Sequence, residues 1–257
     1  MGKYIYRFIR DTPEDPDHPD PKYSIVTPIA LAPQFDLRQE GPTPDILDQG
    51  QLGACGPNEI SNALKLCLMK EKKTVFQPSR LFNYYWARVL DGSPTDQDTG
   101  ISIRSGFQAV KQYGIPPETL DPYIISNYTR APSTEMNIAG LQNKIHYEYL
   151  RVAQSEYSLK HAIYSGFPVV LGIQVYASLE SDAVLQTGSI PMPDTDNEEL
   201  LGGHCVSLWG WDDTQQQFLM MNTWGTSVGQ NGWFWIPYEY ILDNTLASDF
   251  WTAKSFQ

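Results

Sequence analysis

Residues 54–73 read ACGPNEISNALKLCLMKEKK, and their reading decides the fold. Ile60, Ala63, Leu64, Cys67 and Leu68 recur at helical spacing. Proline is tolerated only in the first turn of a helix, so Pro57 places the N-terminus close to Cys55. Residues 79–90, 102–113 and 157–165 carry further helical patterns, the second of these stopped by Gly114 and Pro116. Beyond Gly166 the character changes. FPVVLGIQVY (167–176), HCVSLWGW (204–211), QFLMMN (217–222), GWFWIP (232–237) and FWTA (250–253) are β-branched or aromatic runs separated by turn residues. Helices first and strands afterwards predict an α+β protein with a helical lobe, a β lobe and a site in the cleft between them.

The 257 residues are enough for one large domain or two small lobes with a real core. No internal repeat is visible, and no stretch of about 18 apolar residues predicts a membrane span. The start, MGKYIYRFIR, has no uninterrupted apolar core, so a standard secretory signal is not expected. A net charge of −12 opposes nucleic acid and anionic membranes as partners. Three cysteines, Cys55, Cys67 and Cys205, are neither a disulfide framework nor a metal knuckle; a reducing compartment and the absence of a metal follow as expectations.

Residues 1–34 differ from the rest. Tyr4, Tyr6 and Phe8 alternate in a strand-like pattern, and DTPEDPDHPDP (11–21) is dense in proline and acid. Such a segment predicts an extended strap on the main body.

Cys67 sits on the apolar stripe of its helix, as a small buried hydrophobe would. Cys55 lies at the helix start, between Gly53 and Gly56. Unpaired N–H groups and the helix dipole favour thiolate there. A nucleophilic thiolate needs a base, most often histidine. Of the four histidines, His18 lies in the strap, His161 on an amphipathic helix, and His146 opens a strand-like run. His204 follows Gly202 and Gly203, where a ligand backbone can approach closely. Asn222 is a candidate to orient its ring: the midpoint of 204 and 222 is 213, inside the turn DDTQQ (212–216), so a hairpin would set the two nearly opposite each other. Gln49 and the Cys55 N–H are candidate donors to an oxyanion.

At these residues the chain resembles the papain-like cysteine peptidases. DQGQLGACG (48–56) looks like the segment carrying the family nucleophile, GGHCVSLWGW (202–211) like the strand carrying its histidine, and NTWGTSVGQNGWFWI (222–236) like its Asn-Ser-Trp-Gly block. The order agrees, with His204 following Cys55 by 149 residues and Asn222 following His204 by 18.

The resemblance implies a papain-like two-lobed fold. Residues 35–257 would form the peptidase domain, with a helical lobe over roughly 50–145 and a β lobe over roughly 146–257. It implies Cys55 as nucleophile, His204 as proton shuttle, Asn222 as its orienter and Trp224 as a shield over that bond. Gln49 would join the Cys55 N–H in the oxyanion hole. Gly100, in QDTGIS (97–102), would pair with substrate backbone, and Gly202 and Gly203 would back a side-chain pocket. The substrate would be a peptide or protein, cut internally or from an end, with no cofactor. Gly56 departs from the family's aromatic, and Leu52 from its cysteine. The family's long propeptide gives way to residues 1–34, which resemble the short prosegments of bacterial and viral members and are expected to cover the cleft in cis. The alternatives are a transglutaminase-like acyl transferase and a papain-fold binding protein without chemistry.

Overall fold

The computed structural model describes residues 3–72, 74–143 and 147–255. Seven strands form one antiparallel sheet: β1 (Gln34–Asp36), β2 (Tyr147–Arg151), β3 (Val169–Tyr176), β4 (Leu200–Asp212), β5 (Gln217–Met221), β6 (Trp233–Pro237) and β7 (Ala247–Ser255). Their spatial order is β2-β7-β3-β4-β5-β6, with β1 also on β4. Helices α1 (Cys55–Lys70) and α3 (Ile103–Tyr113) pack against one part of it, and α2 (Arg80–Leu90) packs on these two helices. Short helices α4 (Thr134–Gln142), α5 (Glu156–Tyr164), α6 (Asp182–Thr187) and α7 (Tyr238–Leu242) complete the body.

Helix α1 is buried from Cys55 to Leu68, because it runs between the two hydrophobic cores. Ile60, Leu64 and Cys67 join Phe82 and Phe107 of α2 and α3, while Leu66 faces the cluster built on β3–β6. The two caps that follow are local chemistry: Ser79 and Ser102 each accept a backbone N–H one turn into α2 and α3. Helices α4, α6 and α7 have too weak an apolar period to be legible from sequence; α4 and α6 are instead marked by serine caps, Ser133 and Ser181.

The strap is extended but does not form the ladder that its alternation predicted. It makes isolated bonds: Phe8 N–H to Gly203 O at 2.9 Å, and Ile9 N–H to Ile101 O at 3.2 Å. Further on, Arg151 N–H donates to Pro21 O and Tyr23 N–H to Arg151 O, which adds a short stretch to the edge of β2. Between these points Asp11 is buried under Trp251. Its carboxylate accepts from Trp251 Nε1 (2.8 Å) and faces Arg151 at 3.1 Å, with Arg104 paired to Asp20 nearby.

Candidate active site

Cys55 opens α1, where the first turn leaves backbone N–H groups unpaired. The N-cap, Ala54, has no side chain to satisfy them. Instead the sulfur lies against the N–H groups of Cys205, Gly56 and Cys55 itself, each of which favours thiolate. Burial outweighs them and pushes the thiol up to about 11. Gly56 is closely packed: a Cβ there would meet the Ile101 side chain at 3.0 Å, so a larger residue needs Ile101 to move.

His204 precedes Cys205 on β4, the strand whose N–H reaches the sulfur. His204 is fully buried, and its Nε2 lies 2.8 Å from Asn222 Oδ1. Thr223 N–H donates to the same oxygen at 2.7 Å, which fixes the amide orientation. An oxygen can only accept, so Nε2 carries the hydrogen and Nδ1 is left with a lone pair. Nδ1 has no hydrogen-bond partner, which leaves it free to take a proton. Burial holds the ring below its ordinary range, at about 4. Trp224 stacks over the ring at 5.1 Å and 22°, excluding water from the His204–Asn222 bond.

The hairpin register differs from its expected midpoint. Ser207 pairs with Met221, and the ladder shifts between Leu208 and Gly210. Asn222 therefore lies just past β5 and reaches His204 diagonally, a contact that a directly opposed pair does not need.

Gln49 is fully buried. Thr223 Oγ1 donates to its Oε1 at 2.7 Å, which turns its Nε2 toward Ile5 O at 3.2 Å. Thr223 was missed in the sequence, where only its position after Asn222 marks it.

Gly100, Gly202 and Gly203 all lie against the strap. Gly100 has φ +78°, and a Cβ there would fall 1.5 Å from Arg7 O. Gly202 would meet Tyr6 at 2.8 Å, and Gly203 would meet Phe8 O at 3.0 Å. Tyr4 stacks on Trp224 at 4.0 Å, and Tyr6 meets the His204 ring edge-on at 5.6 Å. The segment thus covers Cys55, His204 and Trp224 together.

The other histidines stand apart. His18 pairs with Asp15, and His161 bonds to Tyr23 Oη. His146 lies outside the described residues. Cys55, Cys67 and Cys205 are not joined in disulfides. Among the described residues no cluster of His, Cys, Asp and Glu could hold a metal, and no helix is long and apolar enough to cross a membrane.

Comparison with known proteins places this arrangement. The family model "Papain family cysteine protease" matches residues 31–246. An uncharacterized peptidase C1-like protein of Acanthamoeba polyphaga mimivirus is 35% identical over 242 residues, which are 89% of this chain and 76% of that one. The crystal structure of xylellain, a cysteine protease from Xylella fastidiosa, superposes with a TM-score of 0.88 at 35% identity, over 98% of this chain and 96% of that one. A digestive procathepsin L 3 of Tenebrio molitor shares the fold, with a TM-score of 0.69 at 21% identity over 91% of this chain and 72% of that one. A two-lobed α+β body with a thiol at a helix start and an imidazole on the facing sheet is a cysteine peptidase. The chain belongs to the papain family of cysteine proteases.

Proposed function

We propose that the chain hydrolyses peptide bonds through a thioester on Cys55 and that residues 3–9 hold this site shut in cis. His204 Nδ1 takes the Cys55 proton, the sulfur attacks the substrate carbonyl, and the imidazolium then protonates the leaving amine. Water, deprotonated by the same nitrogen, resolves the thioester. Asn222 keeps the ring in the required tautomer, Trp224 keeps water off that bond, and Gln49 Nε2 with the Cys55 N–H stabilises the oxyanion. Gly100, Gly202 and Gly203 leave room for substrate backbone.

The observation that carries this reading is the Asn222 contact, because it leaves Nδ1 as the one basic nitrogen on the ring. The covered site is a resting form. Burial holds the thiol up and the imidazole down, so both are neutral until the strap lifts and water returns. The leaving amine departs past His204 and Trp224, so the C-terminal half of a substrate belongs on that side. The strap runs the opposite way, from Tyr4 on Trp224 to Phe8 on Gly203, with Ile5 O on the Gln49 donor. A chain threaded backwards occupies the cleft without being cut.

The test is labelling by a thiol-directed epoxide together with peptide turnover, for the full chain, a 1–34 deletion and Cys55→Ala. The deletion is expected to raise both rates. Cys55→Ala is expected to abolish both while keeping the fold, since little volume is lost. Activity surviving in Cys55→Ala refutes the nucleophile; rates unchanged by the deletion refute the strap's role.

A further inference from the structure

We propose that Glu180 determines specificity for the leaving half of the substrate, accepting a cationic side chain next to an aromatic one on Trp224 and turning away a free C-terminal carboxylate. The inference rests on the peptidase reading above and deepens it: the enzyme does not act as a carboxypeptidase.

Glu180 ends the turn after β3 and is pinned on both sides, by Leu179 in the core and by Ser181, which caps α6. Among the described residues, every hydrogen bond to its carboxylate comes from the strap. Lys3 N–H donates to Oε2 at 2.7 Å, Tyr4 N–H to Oε1 at 3.2 Å, and Tyr6 Oη–H to Oε1 at 2.6 Å. The Lys3 ammonium lies 2.9 Å from the neighbouring Asp182. Tyr4 meanwhile lies flat on Trp224, 4° from parallel. The strap thus displays a working occupant of this end of the cleft: an aromatic ring on the indole, with amide donors and a cation beside it. When the strap lifts, Glu180 loses these donors at once and is left to water and to the donors of an incoming substrate. Subsites recognise side chains by chemistry, so an occupant running backwards still reports what the walls accept.

The two acids are unequal. Lys3 and Asp182 are 54% and 86% exposed, the geometry of an ion pair worth little. Glu180 is half-buried and holds the strap by several bonds, so it carries the selection. A carboxylate set against it is repelled and finds no partner.

The experiment uses the full chain and peptides sharing one acyl half. Their leaving halves are aromatic-Lys, aromatic-Glu, and a terminal aromatic as free acid or amide. Strap opening enters every kcat/KM equally and cancels in the ratios. Lys over Glu, and amide over acid, are each expected by about tenfold. Glu180→Gln is expected to compress both ratios to about twofold, Glu180→Asp to retain part of them, and Asp182→Asn to leave them nearly unchanged. Added salt should shrink the Lys/Glu ratio. An enzyme that cuts peptides or takes the epoxide, yet shows equal ratios or ratios untouched by Glu180→Gln, overturns this inference alone. An enzyme that neither cuts nor labels overturns the peptidase reading and this one with it.

Discussion

Glu59 has an environment that its sequence context does not announce. It stands one turn after Cys55 on α1, fully buried, with Oε2 accepting from Ser207 Oγ at 2.6 Å and Oε1 without a partner. Trp209 Nε1 donates to the same Ser207 Oγ at 2.9 Å. Burial raises the carboxyl to about 8 from an ordinary 4.5. The folded acid therefore favours its protonated form, and folding stability is lost as pH rises from 4.5 to 8. Glu59→Gln keeps an acceptor for Ser207 and removes the titration. It should match the parent in thermal unfolding near pH 4 and exceed it increasingly toward pH 8; a constant offset at all pH values refutes the protonated acid. Nothing in the sequence signals this, since a Glu on a helix reads as a solvated residue until Ser207 arrives from β4. The closeness of His204 and Asn222 was legible for the opposite reason: such residues are few, and their order and spacing in the sequence single them out.

At the scale of elements, the strap joins two titrations of opposite sign. His204 is held at about 4 when covered, against an ordinary 6.5. An uncovered ring takes a proton that the covered ring refuses, so acid weakens closure between pH 6.5 and 4. Asp11, desolvated and facing Asp249, is raised to about 6 from 3.8. The docked carboxyl takes its proton first, so acid strengthens closure between pH 6 and 3.8. Arg104, Arg151 and Trp251 face the same carboxyl and limit the rise. The two effects oppose each other in the parent. Asp11→Asn removes the second, so epoxide labelling of Cys55 should accelerate from pH 6.5 to 4 more steeply, relative to the strap-deleted enzyme, than in the parent. An identical pH dependence in the two refutes the linkage. The strap's placement was only half legible. Its prolines and alternating aromatics announce an extended segment, but where it docks depends on Trp224, Gly203 and Arg151, far along the chain. The β4–β5 register was missed at the turn itself: the hairpin closes on Asp212↔Gln217, centred between Thr214 and Gln215 and not on Asp213, and the shift between Leu208 and Gly210 recovers only part of that offset.

For the whole molecule, the question is whether the helical and sheet halves can unfold apart. The helical core includes Val170, Cys205, Trp251 and Ala253, all of which belong to strands, and α1 gives Leu66 to the other core. Neither core is complete without residues of the other half. Strand β7 is the clearest link: it pairs with β2 and β3, while Trp251 packs among the helices. Separating the halves would strip apolar surface from both faces of α1, at about 25 cal/mol per Å². Calorimetry should therefore give one unfolding transition, with calorimetric and van't Hoff enthalpies in agreement. Trp251→Ala tests the coupling directly. The side chain is fully buried, and its loss should cost about 3–5 kcal/mol. If the cores are one unit, the entire transition moves down together, and the strap loosens with it because Asp11 loses the indole N–H. A variant in which the sheet half keeps the parent midpoint while the helical half melts early would show that the cleft joins two independent bodies.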